Sequence, residues 1–335
     1  MTGPSASPSA GPSWRGGTGA GYQSGMTDVD VLVAGQVARD LVLLVDDVPE
    51  AGGSAPVRRR RELLGGKGAN QAVGVAQLGA RAALLGVVGD DEVGDRLLAQ
   101  ARADGIDVGP VVRRVGVPTG LIVDLLDSRG RWRYLEDLPE PTLLTPDDVA
   151  AAAGVVRAAR AVLVQLQQPA GAALAAARTA RDAGRLVVLD GAPADPASAG
   201  DLLAAADVLR ADARETGLIT GEAPRDAGSA LAAGRALLRR GPALVAVEVS
   251  GAGNAFVWRD GELFLPLSDT PTVDTTGAGD AFVAALTVAL LRGESRERAA
   301  RWAVAAAGAT VGHPGGRPSL TRAALDEQLD RIPVG

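Results

Sequence analysis

Apolar residues in this chain come in short blocks separated by glycine, proline and charged residues. Val29 to Gly35 (Val-Asp-Val-Leu-Val-Ala-Gly) is an apolar run ending at glycine, the pattern of a buried strand. Residues 82–88 (Ala-Ala-Leu-Leu-Gly-Val-Val) predict a second. Between them, Leu41 to Leu64 carries Pro49, Gly52, Gly53 and Pro56 among β-type runs. A helix follows to about Leu78, stopped by Gly79. Another runs to about Ala103 with Asp90 as its predicted cap. Residues 119–136 alternate around the turn signal Asp127-Ser128-Arg129-Gly130, which predicts a hairpin with Gly120 to Leu126 out and Arg131 to Glu136 back. Trp132 and Tyr134, two apart, share one face and read as packing. From Thr145, a predicted N-cap, the periods alternate: helix 146–160, strand 161–166, helix 170–183, strand 186–190. Ala243 to Gly253 reads as a further strand, and 296–311 as a helix. Repeated units of this length imply an α/β fold with a mostly parallel central sheet and right-handed crossovers. No internal repeat or linker divides residues 28–335, which read as one domain with a small β lid from about 41–64 and 118–136.

Composition narrows the function. The 335 residues suffice for a sizeable core, and 47% apolar residues fit a folded chain. Aromatics are only 3%, so Val, Leu and Ala must build that core. The same scarcity, with a net charge of −6, argues against a nucleic-acid surface. Without cysteine there is no disulfide framework and no thiol nucleophile, which fits a reducing, cytoplasmic setting. The single histidine, His313, excludes a zinc site built on histidines. No apolar run reaches the ~20 residues of a membrane span. Residues 1–27 are rich in Gly, Ser, Pro and Ala and lack a signal-peptide core, so they read as a flexible tail. Met26, just before the first strand, reads as the start of translation; a genuine disordered extension is the alternative.

Two stretches carry chemistry. Val273-Asp274-Thr275-Thr276-Gly277-Ala278-Gly279-Asp280-Ala281-Phe282 runs from a polar glycine loop into helix formers that continue to Leu291. A loop entering a helix N-terminus collects unpaired N–H groups and the positive end of the helix dipole, a place that binds phosphate. Gly277 and Gly279 let backbone approach an anion closely. Asp280 is the odd member there. A carboxylate at an anion site fits the task of taking a proton from a hydroxyl as it attacks a phosphoryl group. The plainer alternative is a capped helix with Asp280 favourable to its dipole. The second stretch, Gly65-Gly66-Lys67-Gly68-Ala69-Asn70-Gln71-Ala72, is another glycine loop entering a helix.

Together the two stretches resemble the paired signatures of the PfkB carbohydrate kinases, and the first is most similar to the ribokinase type. The resemblance covers roughly residues 29 to 325 and implies a three-layer, Rossmann-like ribokinase fold. It implies phosphoryl transfer from ATP to a hydroxyl of a small sugar, a ribose-like pentose favoured, with nucleosides or phosphosugars as alternatives. Asp280 would be the base, and the N–H groups of Gly277, Ala278 and Gly279 the anion hole. Asp40, Gly66, Lys67, Gly68, Asn70 and Gln167 would hold the sugar. Asp212, Glu248, Ser250, Gly251, Gly253 and Gly279 would lie beside the nucleotide. Glu215, with Asp212 through water, would serve Mg²⁺; two acids three apart would share a helix face, a plain surface pair being the alternative. Asp274, Thr276, Gly315 and Ser319 would serve a monovalent cation, K⁺. A homodimer paired through lid strands is expected.

The chain departs from the pattern in four places. Ala38 stands for asparagine in Ala38-Arg39-Asp40. Gln167 stands for a sugar-binding glutamate, Asp212 for asparagine, and Glu248 and Ser250 for threonine and glycine. The departures at Ala38, Gln167, Ala213 and Glu248 motivate a reading from another class, a sugar- or nucleotide-binding protein without turnover. The run Arg58-Arg59-Arg60-Arg61 reads as a solvated strand edge. Alternate residues share a face, so two of the four can also point inward, toward a phosphate already on the substrate.

Overall fold

The computed structural model describes residues 28–267, 270, 272–312 and 317–332. The tail 1–27 with Met26, and His313 and Gly315, lie outside the described residues. The chain enters at β1 (Val31–Ala34) and moves into the lid as β2 (Ala38–Val45) and β3 (Val57–Gly65). It returns through α1 (Lys67–Gln77) to β4 (Ala82–Leu85), then β5 (Val87–Gly89), α2 (Glu92–Ala103) and β6 (Val112–Arg114). The lid is completed by β7 (Leu121–Leu126) and β8 (Trp132–Asp137). Helices α3 (Pro146–Ala151) and α4 (Ala153–Ala158) lead to β9 (Ala161–Gln165), α5 (Ala170–Asp182), β10 (Leu186–Asp190), α6 (Ala199–Ala205) and β11 (Val208–Ala211). Then come α7 (Ala213–Thr220), α8 (Ala227–Leu238), β12 (Leu244–Val249), β13 (Gly253–Trp258) and β14 (Gly261–Pro266). Helices α9 (Ala278–Leu291), α10 (Arg296–Val311) and α11 (Arg322–Arg331) close the chain.

The main sheet runs β14-β13-β12-β11-β10-β9-β1-β4, parallel from β12 to β4 and antiparallel at the β13–β14 hairpin. Its strands read as continuous apolar runs because both faces are covered. Val31 and Val33 of β1 join a core with α1, α9 and α10; Leu32 and Ala34 join one with α5, α6 and α8. This is the three-layer α/β architecture the units imply. With so few aromatics the helices pack close. A Cβ on Gly74 of α1 would lie 2.9 Å from the Cβ of Ala284 in α9.

The lid is a separate sheet in the order β3-β2-β7-β8. Its β2 begins at Ala38, so the lid starts ahead of the expected residue 41 and Asp40 sits within a lid strand. Other boundaries also shift. The apolar run 82–88 divides at Gly86, where a Cβ would come within 2.7 Å of the Gly35 carbonyl oxygen. The helix at 146–160 is broken at Ala152 into α3 and α4, with Thr145 capping the first through a reciprocal box with Asp148. Asp91, not Asp90, caps α2, accepting from the Gly94 N–H at 2.7 Å; Asp90 instead pairs with Arg113.

Candidate active site

Two helices begin side by side without a side-chain cap. Gly66 precedes α1 at φ 84° and Gly277 precedes α9 at φ 73°, conformations that glycine takes without strain. Neither loop supplies a side-chain oxygen to its first turn, so the positive ends stay available to an anion. The Ala278 N–H, expected in the anion hole, already donates to the Thr275 carbonyl at 3.3 Å.

The first turns of α1 and α9 meet at Asp280. Asn70 Nδ2 donates to Asp280 Oδ2 at 3.2 Å, and Gln71 Nε2 to Oδ1 at 3.1 Å. Gln71 Nε2 also donates to Asp190 Oδ2 at 2.8 Å, so one amide spans two buried acids. Burial raises the Asp280 carboxyl, Lys67 opposes this, and Asp190 adds to it; the bonds from Asn70 and Gln71 hold the group at about 7. A carboxyl in that range can accept a proton near neutrality.

Beside Asp280 lies a cluster the sequence reading did not anticipate. Arg210, buried in β11, contacts Asp190 at 3.2 Å, Glu248 at 2.9 Å and Glu215 at 3.8 Å. Burial disfavours its charge, but Asp190, Glu215, Glu248 and Asp212 outweigh that and hold the guanidinium above its ordinary range. Glu248, an acid at the position expected beside the nucleotide, is thus matched by a cation within the protein. The guanidinium lies directly against the glycine loop. A Cβ on Gly279 would fall 2.9 Å from both of its terminal nitrogens. Lys67 Nζ stands 3.7 Å from Glu215 Oε1. Burial opposes its charge, and Asp190, Glu215 and Asp280 raise it again. The signal in sequence was a charged residue inside the apolar run Val208-Leu209-Arg210-Ala211.

On the lid side, Asp40 is pressed against the first glycine loop. A Cβ on Gly65 would overlap its carboxylate at 1.8–2.1 Å, so this close approach requires glycine. Burial raises Asp40 to about 7, the Gly66 N–H opposing and Asp124 and Asp280 adding. Gly68 crosses the end of β1 so closely that its Cβ would lie 2.5 Å from the Gly35 carbonyl carbon. Gln167 is exposed and accepts from Gln165 Nε2 at 3.0 Å; Gln165, buried at the end of β9, also accepts from the Gln36 N–H. Tyr134 of β8 reaches across and bonds the Thr276 hydroxyl, tying the lid to the second glycine loop.

The expected cation ligands are only partly gathered. Asp212 and Glu215 do not share a helix face: Asp212 is the N-cap of α7 and forms a reciprocal capping box with Glu215. Glu215 Oε2 accepts from the Asp212 N–H at 2.8 Å, leaving Oε1 toward Lys67. Burial and Asp190 raise Glu215 against the pull of Arg210 and Lys67. Ser250 and Gly251 form the exposed tip between β12 and β13, and Gly253 begins β13. Asp274 is buried and accepts from the Thr276 N–H at 2.9 Å; Ser319 is exposed. Among the described residues no three His, Cys, Asp or Glu side chains converge as a ready metal cage. Nor is any helix among them long and apolar enough to cross a membrane.

A near-neutral carboxylate thus stands at an uncapped helix start, beside a glycine loop backed by a cation. Comparison with known proteins gives the family. Residues 28–323 match the pfkB family of carbohydrate kinases, and the chain belongs to that family. It is 34% identical over 314 residues to an ATP-dependent ribose-1-phosphate kinase of Halopiger xanaduensis, covering 90% of this chain and 100% of the relative. It is 31% identical over 301 residues to a ribokinase of Arabidopsis thaliana, covering 87% and 78%. The chain spans 47% of a bifunctional ribokinase/ribose-5-phosphate isomerase A of Fructilactobacillus sanfranciscensis, at 29% identity. The Arabidopsis thaliana ribokinase solved with ribose and ATP superposes with a TM-score of 0.76 at 28% identity, over 90% of this chain and 99% of that one. The fold is therefore the ribokinase fold, and the protein is an ATP-dependent carbohydrate kinase.

Proposed function

We propose that the protein transfers the γ-phosphoryl group of ATP to a hydroxyl of a ribose-like sugar, with Asp280 as general base. The observation that carries this is the meeting of Asn70, Gln71 and Asp280, which fixes the carboxylate between the two glycine loops. The sugar lies between Asp40, the 66–70 segment and Asp280. Its hydroxyl oxygen attacks the γ-phosphorus as Asp280 takes the proton, and the bond to ADP breaks. The N–H groups of Gly277 and Gly279, with Arg210 behind them, stabilise charge on the group in transit. A hydrated Mg²⁺ would be held by Glu215 Oε1, which is free of the capping bond and shared with Lys67 Nζ at 3.7 Å, with Asp212 reached through water. When bound it would neutralise phosphate charge. Asp274, Thr276 and Ser319, with Gly315, remain the proposed K⁺ ligands. The lid excludes water and suppresses ATP hydrolysis. Edge strand β8 exposes Trp132 and Leu135, which fits a homodimer paired through the lids. A cytoplasmic setting is part of the same reading.

One observation favours a second reading, a phosphosugar acceptor. Pairing of β2 with β3 sets Arg61 opposite Val42 and Arg59 opposite Leu44, on the same lid face as Asp40. Arg58 and Arg60 take the other face, where they pair with Asp46 and Glu62. The similarity to a ribose-1-phosphate kinase points the same way.

The deciding experiment is ADP release from ATP, Mg²⁺ and K⁺ with ribose, deoxyribose, fructose, ribose 1-phosphate and several nucleosides. Turnover of ribose is expected. Turnover confined to the phosphorylated sugar would move the assignment to the second reading. Binding without turnover on any member would make the protein a sugar-binding module.

A pH profile gives an independent check. Asp280 and Asp40 both sit at about 7, and only the ionised base accepts a proton. Log kcat/KM for the sugar should climb below pH ~7, with a slope of about one if only Asp280 must be ionised and about two if Asp40 must be as well, and level off above it. A profile flat from pH 5 to 8 would rule out a titrating base in this site.

A further inference from the structure

The inner face of the lid holds a carboxylate with one buried oxygen that has no hydrogen-bond partner among the described residues. Asp124 lies in β7 between apolar neighbours, is 4% exposed, and its Oδ1 has no hydrogen-bond partner. Strand pairing fixes where it points. Asp124 is opposite Val42 on β2 and opposite Tyr134 on β8, while Asp40 is opposite Ile122. Paired residues share a face, so Asp124 looks the same way as Asp40 and Tyr134. Tyr134 bonds Thr276 of the glycine loop, so this face is the one that covers the site. The Oδ1 of Asp40 is likewise buried and unpartnered. Asp40 and Asp124 repel each other, Asp274 repels Asp124, and no described cation offsets Asp124. Arg61, on the same face, is two strands away, about 10 Å by strand spacing.

A buried carboxylate without a donor is costly and persists where something supplies one. We propose that Asp124 is a specificity-determining residue of the acceptor site, accepting a hydrogen bond from a hydroxyl on the sugar face that lies against the lid. The inference rests on the carbohydrate-kinase reading and narrows it. The acceptor carries a free hydroxyl at the carbon beneath β7. A bare methylene there leaves Asp124 unsatisfied, and a phosphate ester there meets two like charges. A phosphosugar is accommodated only with its phosphate turned outward, toward Arg59 and Arg61. Burial keeps Asp124 up at about 6, so it is mainly ionised at pH 7.5 and a strong acceptor.

The test is a matrix of ligand against variant, read by calorimetric titration at pH 7.5. Wild type, Asp124→Asn and Asp124→Leu are each titrated with ribose, its 1-, 2- and 3-deoxy analogues, and the amino analogue at the carbon whose deoxygenation costs most. ADP release is recorded on the same samples. Wild type should bind one deoxy analogue about 10–100-fold more weakly than ribose. Asp124→Leu should lose that discrimination while binding that analogue as well as wild type or better, and Asp124→Asn should keep part of it. An ammonium at the same carbon should bind wild type more tightly than the hydroxyl and lose this advantage in both variants. Equal losses for every sugar in Asp124→Leu, or unchanged discrimination, would overturn the proposal, as would no binding to wild type by any member. The kinase reading fails separately, by binding that follows the expected matrix while no ADP appears.

Discussion

Asp280→Asn is expected to lower kcat by about 10²–10⁴-fold while sugar affinity stays within a few-fold. The amide has the shape of the carboxylate but cannot take a proton. Its fit is also imperfect. Asn70 and Gln71 both donate to Asp280, one to each oxygen, so an amide nitrogen must face one donor. A modest rise in KM therefore belongs to the prediction. Stability should move the other way. The folded state holds the Asp280 carboxyl at about 7 against an ordinary 3.8. Between pH ~4 and ~7 the folded protein binds more protons than the unfolded chain, so this group's contribution to stability falls as pH rises through that window. The variant lacks the penalty. It should melt at a higher temperature than wild type at pH 8, and the gap should shrink toward pH 4. Wild-type turnover in this variant would refute the base assignment.

Arg210→Met is expected to cost about 3–5 kcal/mol of folding stability, the usual effect of stranding buried acids without their cation. Among the described residues, Arg210 alone forms ion pairs with Asp190, Glu215 and Glu248 together. Its loss should lower the urea midpoint and abolish turnover under assay conditions. A double-mutant cycle separates charge from packing. Glu248→Gln alone removes one of the acids, and in the Arg210→Met background it should recover part of the midpoint. Strict additivity of the two substitutions would show that they are not coupled, and an unchanged midpoint in Arg210→Met would show that the cluster carries no stability.

The sheet was legible because its strands are buried on both faces. Val31–Ala34, Ala161–Gln165 and Leu186–Asp190 each appear as an apolar block, and the block length separates them from helices. The two glycine loops were legible because the chain enters these two helices at positive φ, at Gly66 and Gly277, a conformation glycine takes without strain. Partners that exist only in three dimensions were not legible. Gln71 looked like one more residue of a helix, although it donates to acids 119 and 209 positions away. Arg210 looked like an oddity in β11, and Glu248 looked out of place, because each is explained by the other. Asp124 sits in an alternating strand that periodicity assigns to a lid, but only strand pairing shows which face it takes. Asp212 and Glu215 have the spacing of a helix face and also that of a capping box; the extended backbone at Asp212 chose the latter.

The contact between Gly74 and Ala284 bears on how this enzyme can change over time. These residues carry no functional group, yet they hold α1 and α9 at the separation that brings Asn70 within 3.2 Å of Asp280. The gap between the two helices is set by the Gly74 backbone against the Ala284 methyl, which has no rotamer to move to if a methyl were added at Gly74. Such a hinge-free joint drifts poorly. Substitutions can accumulate along the lid, where we propose the acceptor is chosen, while this buried seam stays closed to them. New substrates are therefore more accessible to this scaffold than new chemistry.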